Sequence, residues 1–234
     1  MSKTKKAVII GSVLVGIGVI IGFIGIAIGG FKFPNGAVDL TTMKALHAEK
    51  KTVQIADAFD KIEIAGASSM DIEICKSKTG KNYVEYYDTD DWTSHVDVKE
   101  HVLKFTTDDK GKHKAVVSLG FGKDTAARLY LADAEYKEIS VTTLSGYVTI
   151  QDVNARTVNV SASSGDIDLE RCDAEGFDIT TSSGDVDMEI TAGRTYRFET
   201  KTNSGDVDVP DGDADSDYLC KIVTSSGDVD VKQK

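Results

Sequence analysis

Cysteine, histidine and positive charge are all scarce in this sequence of 234 residues, and each scarcity removes a class of function. The 3 cysteines, Cys75, Cys172 and Cys220, are an odd number without the spacing of metal ligands, which argues against a disulfide framework. Of the 4 histidines, His95, His101 and His113 have no spacing that pairs them with a nucleophile or a metal, and His47 reads as an exposed surface residue. Lysine and arginine total 27 against 38 acidic residues, for a formal net charge of −11. Nucleic-acid binding requires clustered Lys and Arg for phosphate, so that partner is excluded. Anionic lipid head groups and wall polymers would be repelled as well, unless cations intervene.

What the chain has in abundance is repetition. Ser-Gly-Asp-Val-Asp recurs at Ser183–Asp187, Ser204–Asp208 and Ser226–Asp230, with Ser164-Gly165-Asp166-Ile167-Asp168 as a fourth copy and Ser145-Gly146-Tyr147-Val148-Thr149 as a looser one. The glycines stand at 146, 165, 184, 205 and 227, spaced by 19 to 22 residues, a period that signals stacked supersecondary units. Aligned on that glycine, Ile139, Val158, Phe177, Phe198 and Cys220 share one position, and Val148, Ile167, Val186, Val207 and Val229 share another. Polar residues fall between, so the alternation is that of half-buried strands on either side of a Ser-Gly bend. Cys220 then reads as a small core side chain, and Val186, Val207 and Val229 are expected to point inward together.

Two all-β architectures satisfy this pattern. In a β-solenoid, or β-helix-like domain, equivalent strands of successive coils pair in parallel. In an antiparallel β-meander, Ser-Gly is a two-residue hairpin turn. Near-identical residues at one register favour the solenoid, although parallel stacking sets Asp168, Asp187, Asp208 and Asp230 side by side, which is electrostatically unfavourable.

The amino terminus is organised differently. Residues 1–6 are a basic segment, and residues 7–31 form an uncharged run rich in Ile, Val and Gly, long enough for a transmembrane helix. Residues 1–32 hold four lysines and no acid, three of them before the span, so the amino terminus is expected in the cytoplasm and the remaining chain, with a net charge of −15, outside. Gly18, Gly22, Gly25 and Gly29 form two GxxxG pairs, a route to homodimers through close helix approach. Residues 32–51 read as a juxtamembrane linker with a short helix over Thr41–Lys51, followed by a β-domain over residues 52–234. Its irregular part, 52–135, caps the first coil, and residues 136–234 carry the repeats. A degenerate copy places Met70 in the glycine position. Because the chain ends just after the last copy, that copy is expected at the far edge, where Lys232 and Lys234 would discourage pairing.

The sharpest candidate site is a pair of acidic rows, Asp166, Asp185, Asp206 and Asp228 with Asp168, Asp187, Asp208 and Asp230. Gly-Asp-Val-Asp-Val shares the G-x-D-x-apolar fragment of calcium-binding β-rolls, so Ca²⁺ held between coils is the metal hypothesis. The alternative is a solvated acidic face. Ser145, Ser164, Ser183, Ser204 and Ser226 recur because the bend recurs, whereas a nucleophile is needed once. Trp92, Tyr83, Tyr86 and Tyr87 are a candidate aromatic patch, with a core role as the simpler reading.

The single amino-terminal span, the opening Phe59-Asp60-Lys61-Ile62-Glu63-Ile64, the segment Tyr136–Gly146 and the recurring Ser-Gly-Asp-Val-Asp-Val together resemble the bacterial putative-adhesin family of membrane-anchored β-strand-repeat proteins. The resemblance covers roughly Val53 to Val231. It implies a non-enzymatic cell-envelope surface protein at the bacterial plasma membrane, an adhesin or binding scaffold for an envelope protein, peptide or glycan. It also suggests an accessory role in envelope-stress response, and it supplies no catalytic residues. A polysaccharide-active enzyme on the same scaffold would need a non-repeated cluster of acids and bases, which the sequence does not display.

Overall fold

The structure, a computed structural model, describes residues 37–39, 44–45, 48–65, 70–89, 92–109, 116–118 and 126–234. The expected membrane helix at 7–31, with its glycine face, lies outside these residues. Among the described residues no helix is long and apolar enough to cross a membrane. Every regular element among the described residues is a strand, and 16 of these strands make one connected system.

That system consists of two ladders joined through the long strand Ile167–Ser183, whose halves serve one ladder each. Segments preceding the bend glycines form the pre-bend sheet: Lys61–Ala65, Glu135–Ser145, Asn154–Ser164, the second half of Ile167–Ser183, Leu219–Val223 and Arg197–Lys201. Segments following the glycines form the post-bend sheet: Ile72–Lys76, Val148–Gln151, the first half of Ile167–Ser183, Val186–Ile190, Val229–Gln233 and Val207–Asp208. All of these pairings are parallel, and apart from a register shift between Glu170 and Cys172 they are in register, with Ile139 beside Val158, Val158 beside Phe177 and Phe177 beside Cys220. Parallel pairing of copy on copy is incompatible with the meander alternative, whose neighbouring strands would run antiparallel.

The bend explains the choice. Gly146, Gly165, Gly184, Gly205 and Gly227 have φ between +129° and +151°, conformations that L side chains rarely adopt. The bend amides do not close a hairpin. Instead Gly165 N–H donates to Ser183 O at 3.0 Å, Gly184 N–H to Ser226 O at 3.0 Å and Gly227 N–H to Ser204 O at 2.9 Å. The bends therefore stack on one another, each carbonyl sitting where a neighbouring glycine's Cβ would be.

Those bonds also reveal an order that departs from the chain. The 173–190 coil is followed in space by the 219–233 coil, and only then by the 197–208 coil. The expectation that the last copy forms the far edge is thus corrected: the final copy is sandwiched, and the copy before it is outermost. A physical reason lies in the inward-facing residues. The inserted coil contributes Cys220, Ile222, Val229 and Val231, all at or below 4% exposure, whereas the outer coil has Thr200 where the others have Val or Ile. Placing the more polar coil outside leaves Val207 41% exposed, against 0% for Val186 and 1% for Val229, so two of the three expected inward valines are fully buried.

At the opposite end, two antiparallel strand pairs, one of them a hairpin, extend the sheets beyond the 61–76 coil, as a cap would. Ala48–Ile55 pairs with Asn82–Thr89, which pairs with Ala127–Leu131, while Trp92–Lys99 pairs with Val102–Asp109 against Lys61–Ala65. The helix expected over Thr41–Lys51 is not found there. Lys44–Ala45 and the start of Ala48–Ile55 are strands, the latter because its 3.6-residue periodicity is brief and Val53 and Ile55 pack on the core. Between the sheets runs one continuous apolar core, from Ile62, Leu103 and Phe105 through Ile139 and Ile179 to Ile222. One internal gap in it, lined by Ile62, Ile64, Val84, Leu103, Phe105, Ala127 and Leu129, is about 10 Å³, barely the room for one water.

Candidate functional site

Each acidic row has its own structural setting. In the row after the glycines, Asp166 Oδ1 accepts the N–H of Asp185 at 2.9 Å, Asp185 Oδ1 that of Asp228 at 2.8 Å, and Asp228 Oδ1 that of Asp206 at 2.8 Å. Asp71 does the same for Tyr147 at 2.8 Å. This row recurs because each carboxylate ties one bend to the next, satisfying an amide that the turn would otherwise leave exposed. Each bond also offsets part of the like-charge repulsion within this row.

The second row, Asp168, Asp187, Asp230 and Asp208 in spatial order, points outward from the post-bend sheet. Burial and then neighbouring Glu170 and Asp187 raise the Asp168 carboxyl above the usual range, and burial and then Asp230 raise Asp187. Lys232 relieves Asp230 directly at 2.9 Å. Among the described residues, no group of three or more His, Cys, Asp or Glu side chains converges as metal ligands.

The raised values have a definite consequence for stability. A carboxyl whose folded pKa lies above its unfolded one binds its proton more tightly when folded, so protonation stabilises the fold. The gain is absent above the raised folded value and complete below the ordinary carboxylate pKa. Asp168→Asn should therefore stabilise the protein at neutral pH by about 0.5 kcal/mol, a figure reduced by solvent screening. The gain should shrink as salt rises and vanish as Asp168 becomes protonated in the wild type. Thermal melts of wild type and variant at pH 7, with and without high salt, check this; a lower melting temperature in the variant would refute it.

Other sequence candidates disperse. His95 Nε2 lies 3.1 Å from Asp108 Oδ2 on an exposed hairpin, and His113 falls outside the described residues. Glu100 and His101, with φ of 51° and 63°, form the two-residue turn joining Trp92–Lys99 to Val102–Asp109. Cys172 and Cys220 are buried free thiols, pushed by burial to about 12, and so are not poised as thiolate nucleophiles. The aromatic set divides: Tyr86 is buried edge-on against Phe105, Trp92 packs on the core, and Tyr83 stacks on Tyr130 at 4.3 Å between ring centres.

A site missed in the sequence lies on the outer face of the pre-bend sheet. There the register sets Thr157, Gly176 and Leu219 in one row, Ser140, Asn159, Asp178 and Lys221 in the next, and Thr142, Ser161, Thr180 and Val223 beyond. Two adjoining depressions cross these rows, one of about 350 Å³ around Gly176 and one of about 240 Å³ around Ser161, sharing Asn159 and Asp178. The larger one lies over Gly176, which has no side chain. A Cβ at Gly176 would meet only ordinary contacts, 3.7 Å from Leu219 O and 3.9 Å from Thr157 Cγ2. Neither backbone conformation nor packing demands glycine here, unlike at the bends, and a glycine in a strand interior often marks a close approach by another molecule. Glu175 and Asp217 flank the depression, Lys221 Nζ is 3.1 Å from Asp178, and Asn159 Nδ2 donates to Glu138 Oε1 at 3.2 Å. The face thus offers hydroxyl, amide and carboxylate groups at the regular spacing of a parallel sheet, with little conformational freedom to lose on binding. Its signal in the sequence is the residue eight before each bend glycine: Glu138, Thr157, Arg197 and Leu219 in four copies, but Gly176 in one.

The Toastrack DUF4097 family model matches residues 59–234. No curated protein matches the sequence. Among solved structures, a putative cell adhesion protein from Clostridium sporogenes is similar at 14% identity with a TM-score of 0.58, covering 80% of this chain and 100% of that one. A putative adhesin from Bacteroides fragilis is similar at 15% identity with a TM-score of 0.34, covering 80% of this chain and 97% of that one. At such identities the first likeness speaks to the fold alone, and it agrees with the all-β architecture described above.

Proposed function

The chain belongs to the Toastrack DUF4097 family, and from that membership we propose that it works by binding rather than by catalysis. In this reading residues 7–31 hold it in the bacterial plasma membrane, with the amino terminus in the cytoplasm and the β-domain outside. The domain is a β-solenoid of coils of about 20 residues, serving as an adhesin or binding scaffold for an envelope protein, peptide or glycan, and as an accessory in the response to envelope stress. The observation that carries this reading is the pair of adjoining depressions over Gly176 and Ser161. It supplies a flat, preformed, polar contact surface on a rigid sheet, on the side of the domain away from the crowded acidic row.

The test is crosslinking on intact cells. A photoreactive residue at position 159, on the pre-bend face, is expected to capture a partner, and one at position 170, on the post-bend face, is not. Gly176→Gln should remove the adduct. Because the added side chain has room, this variant should change stability by no more than about 0.5 kcal/mol. Equal adducts from both faces, or adducts at position 159 that survive Gly176→Gln, would place binding elsewhere.

A further inference from the structure

One bend departs from the others. Two residues before the bend glycine stand Ser163, Ser182, Asn203 and Ser225, and one residue after it stand Asp166, Asp185, Asp206 and Asp228. At Gly146 the same two places hold Leu144 and Tyr147. Each is 59% exposed, more than any other large apolar side chain among the described residues. A single exposed leucine would carry no meaning, since scattered apolar residues are normal on a surface. Here two of them flank one bend, and the fold has use for neither. Tyr147 offers no carboxylate to the N–H of Asp166, so that amide lacks the tie that Asp185, Asp228 and Asp206 each receive from a neighbouring coil. The chain thus gives up a hydrogen bond between coils and exposes an aromatic ring where the repeat would place an acid. A local rule broken without structural gain marks a functional position, and tyrosine is among the residues that anchor interfaces.

The charge around this pair identifies what can cover it. In spatial order the column after the bend reads Asp71, Tyr147, Asp166, Asp185, Asp228, Asp206, so the ring interrupts a row of acids. Asp71, Asp166, Asp185 and Asp228 each accept an amide through Oδ1, which leaves Oδ2 for a partner. Basic groups of the post-bend coils are engaged by other acids: Arg171 by Asp152 and Glu170, Lys232 by Asp230, and Lys234 by Glu189. A second copy of this chain would bring the same acids to the patch, and an anionic lipid surface would be repelled. A partner that carries an apolar anchor beside cations is complementary at every position.

We infer that this bend docks a segment of a partner protein in which an aromatic or aliphatic anchor is followed by lysine or arginine. The anchor covers Leu144 and Tyr147. The cations lie along Asp166, Asp185 and Asp228, at the step of about 4.8 Å that separates paired strands. This surface is at the edge of the domain, apart from the depressions over Gly176 and Ser161.

The experiment uses the full-length chain in micelles of a nonionic detergent, with empty micelles as background. Two fluorescent peptides are compared: Leu-Phe-Gly-Lys-Gly-Lys-Gly-Lys, and Gly-Gly-Gly-Lys-Gly-Lys-Gly-Lys, which has the same charge and no anchor. Anisotropy should show the first binding at least tenfold more tightly. The decisive variant is Leu144→Ser with Tyr147→Asp, which makes this bend read Ser-Ser-Gly-Asp like three of the others. It adds an acid to a net charge of −11, so simple charge attraction predicts tighter binding, whereas the inference predicts a loss of at least tenfold. Thermal melts should show this variant at least as stable as the wild type, because the new carboxylate can take the N–H of Asp166. Asp185→Asn keeps the Oδ1 that accepts Asp228 N–H and removes only the charge. It should weaken the first peptide about threefold at low salt and less at high salt. Equal binding of the two peptides, no binding of either, or undiminished binding by the double variant would overturn the inference. So would loss of binding in Gly176→Gln, which would move the peptide to the pre-bend face. A dimer in sedimentation that the double variant dissolves would make the occupant a second copy, and would overturn it as well.

Discussion

Gly184→Ala is expected to destabilise the domain by at least about 4 kcal/mol, enough to unfold a protein of ordinary marginal stability. Two effects combine. The residue sits at φ +151°, where an L side chain is strained. More decisively, the new Cβ would lie 2.2 Å from Gly165 O and 2.6 Å from Gly165 C, both backbone atoms of the neighbouring coil. No rotamer change relieves a clash with backbone, so the two coils must separate or shift register. Gly193→Ala isolates the first effect: φ is +126° there, yet nothing lies within 4 Å of an added Cβ. That variant should lose only about 1–2 kcal/mol. Denaturant unfolding followed by circular dichroism measures both; equal losses would show that close coil stacking does not constrain the bend.

The same stacking explains which parts of the molecule were legible in the sequence. The inward rows were readable because a period of two within strands and a period near twenty between them leave one consistent phase. Ile139, Val158, Phe177 and Cys220 are indeed adjacent and buried. The parallel ladder was favoured on the same ground, since self-similar residues pair most simply with themselves. The spatial order of the coils was hidden for the same reason. Near-identical copies offer near-identical edges, so register alone does not say which copy follows which. The available signal was the connectors: glycine spacings of 19 residues where coils stack in chain order, but 21 and 22 around the displaced coil. A second signal was Thr200 at an otherwise aliphatic position. The work of Asp166, Asp185 and Asp228 could not be read because their hydrogen-bond partners belong to a neighbouring coil. The turn at Glu100 and His101 was hidden by its residues, since positive φ at both positions ordinarily selects Asn and Gly. The candidate face escaped because its mark is a missing side chain: Gly176 looks like one more turn residue until the strand through it is seen.

The displaced order makes a second large prediction, in which one substitution at two equivalent positions gives opposite outcomes. Val207 and Val229 both stand two residues after a bend glycine, and the chain order makes Val229 the more peripheral. In the fold Val229 lies between Val186 and Val207, 1% exposed, while Val207 is 41% exposed with no described strand beyond it. Val229→Asp would place a carboxylate between two apolar neighbours on the buried side. Burial of an uncompensated charge carries a penalty of several kcal/mol, even after the carboxyl shifts its pKa and becomes neutral. A loss of about 4 kcal/mol or more is expected, with partial recovery as acid protonates the new group. Val207→Asp can turn its carboxylate to water and should lose about 1 kcal/mol or less. Melting curves of the two variants decide between the arrangements. If the final copy were the free edge, Val229→Asp would be the mild variant and Val207→Asp the severe one, because the coil that is sandwiched, rather than the coil that comes last, is the one that cannot accept a charge.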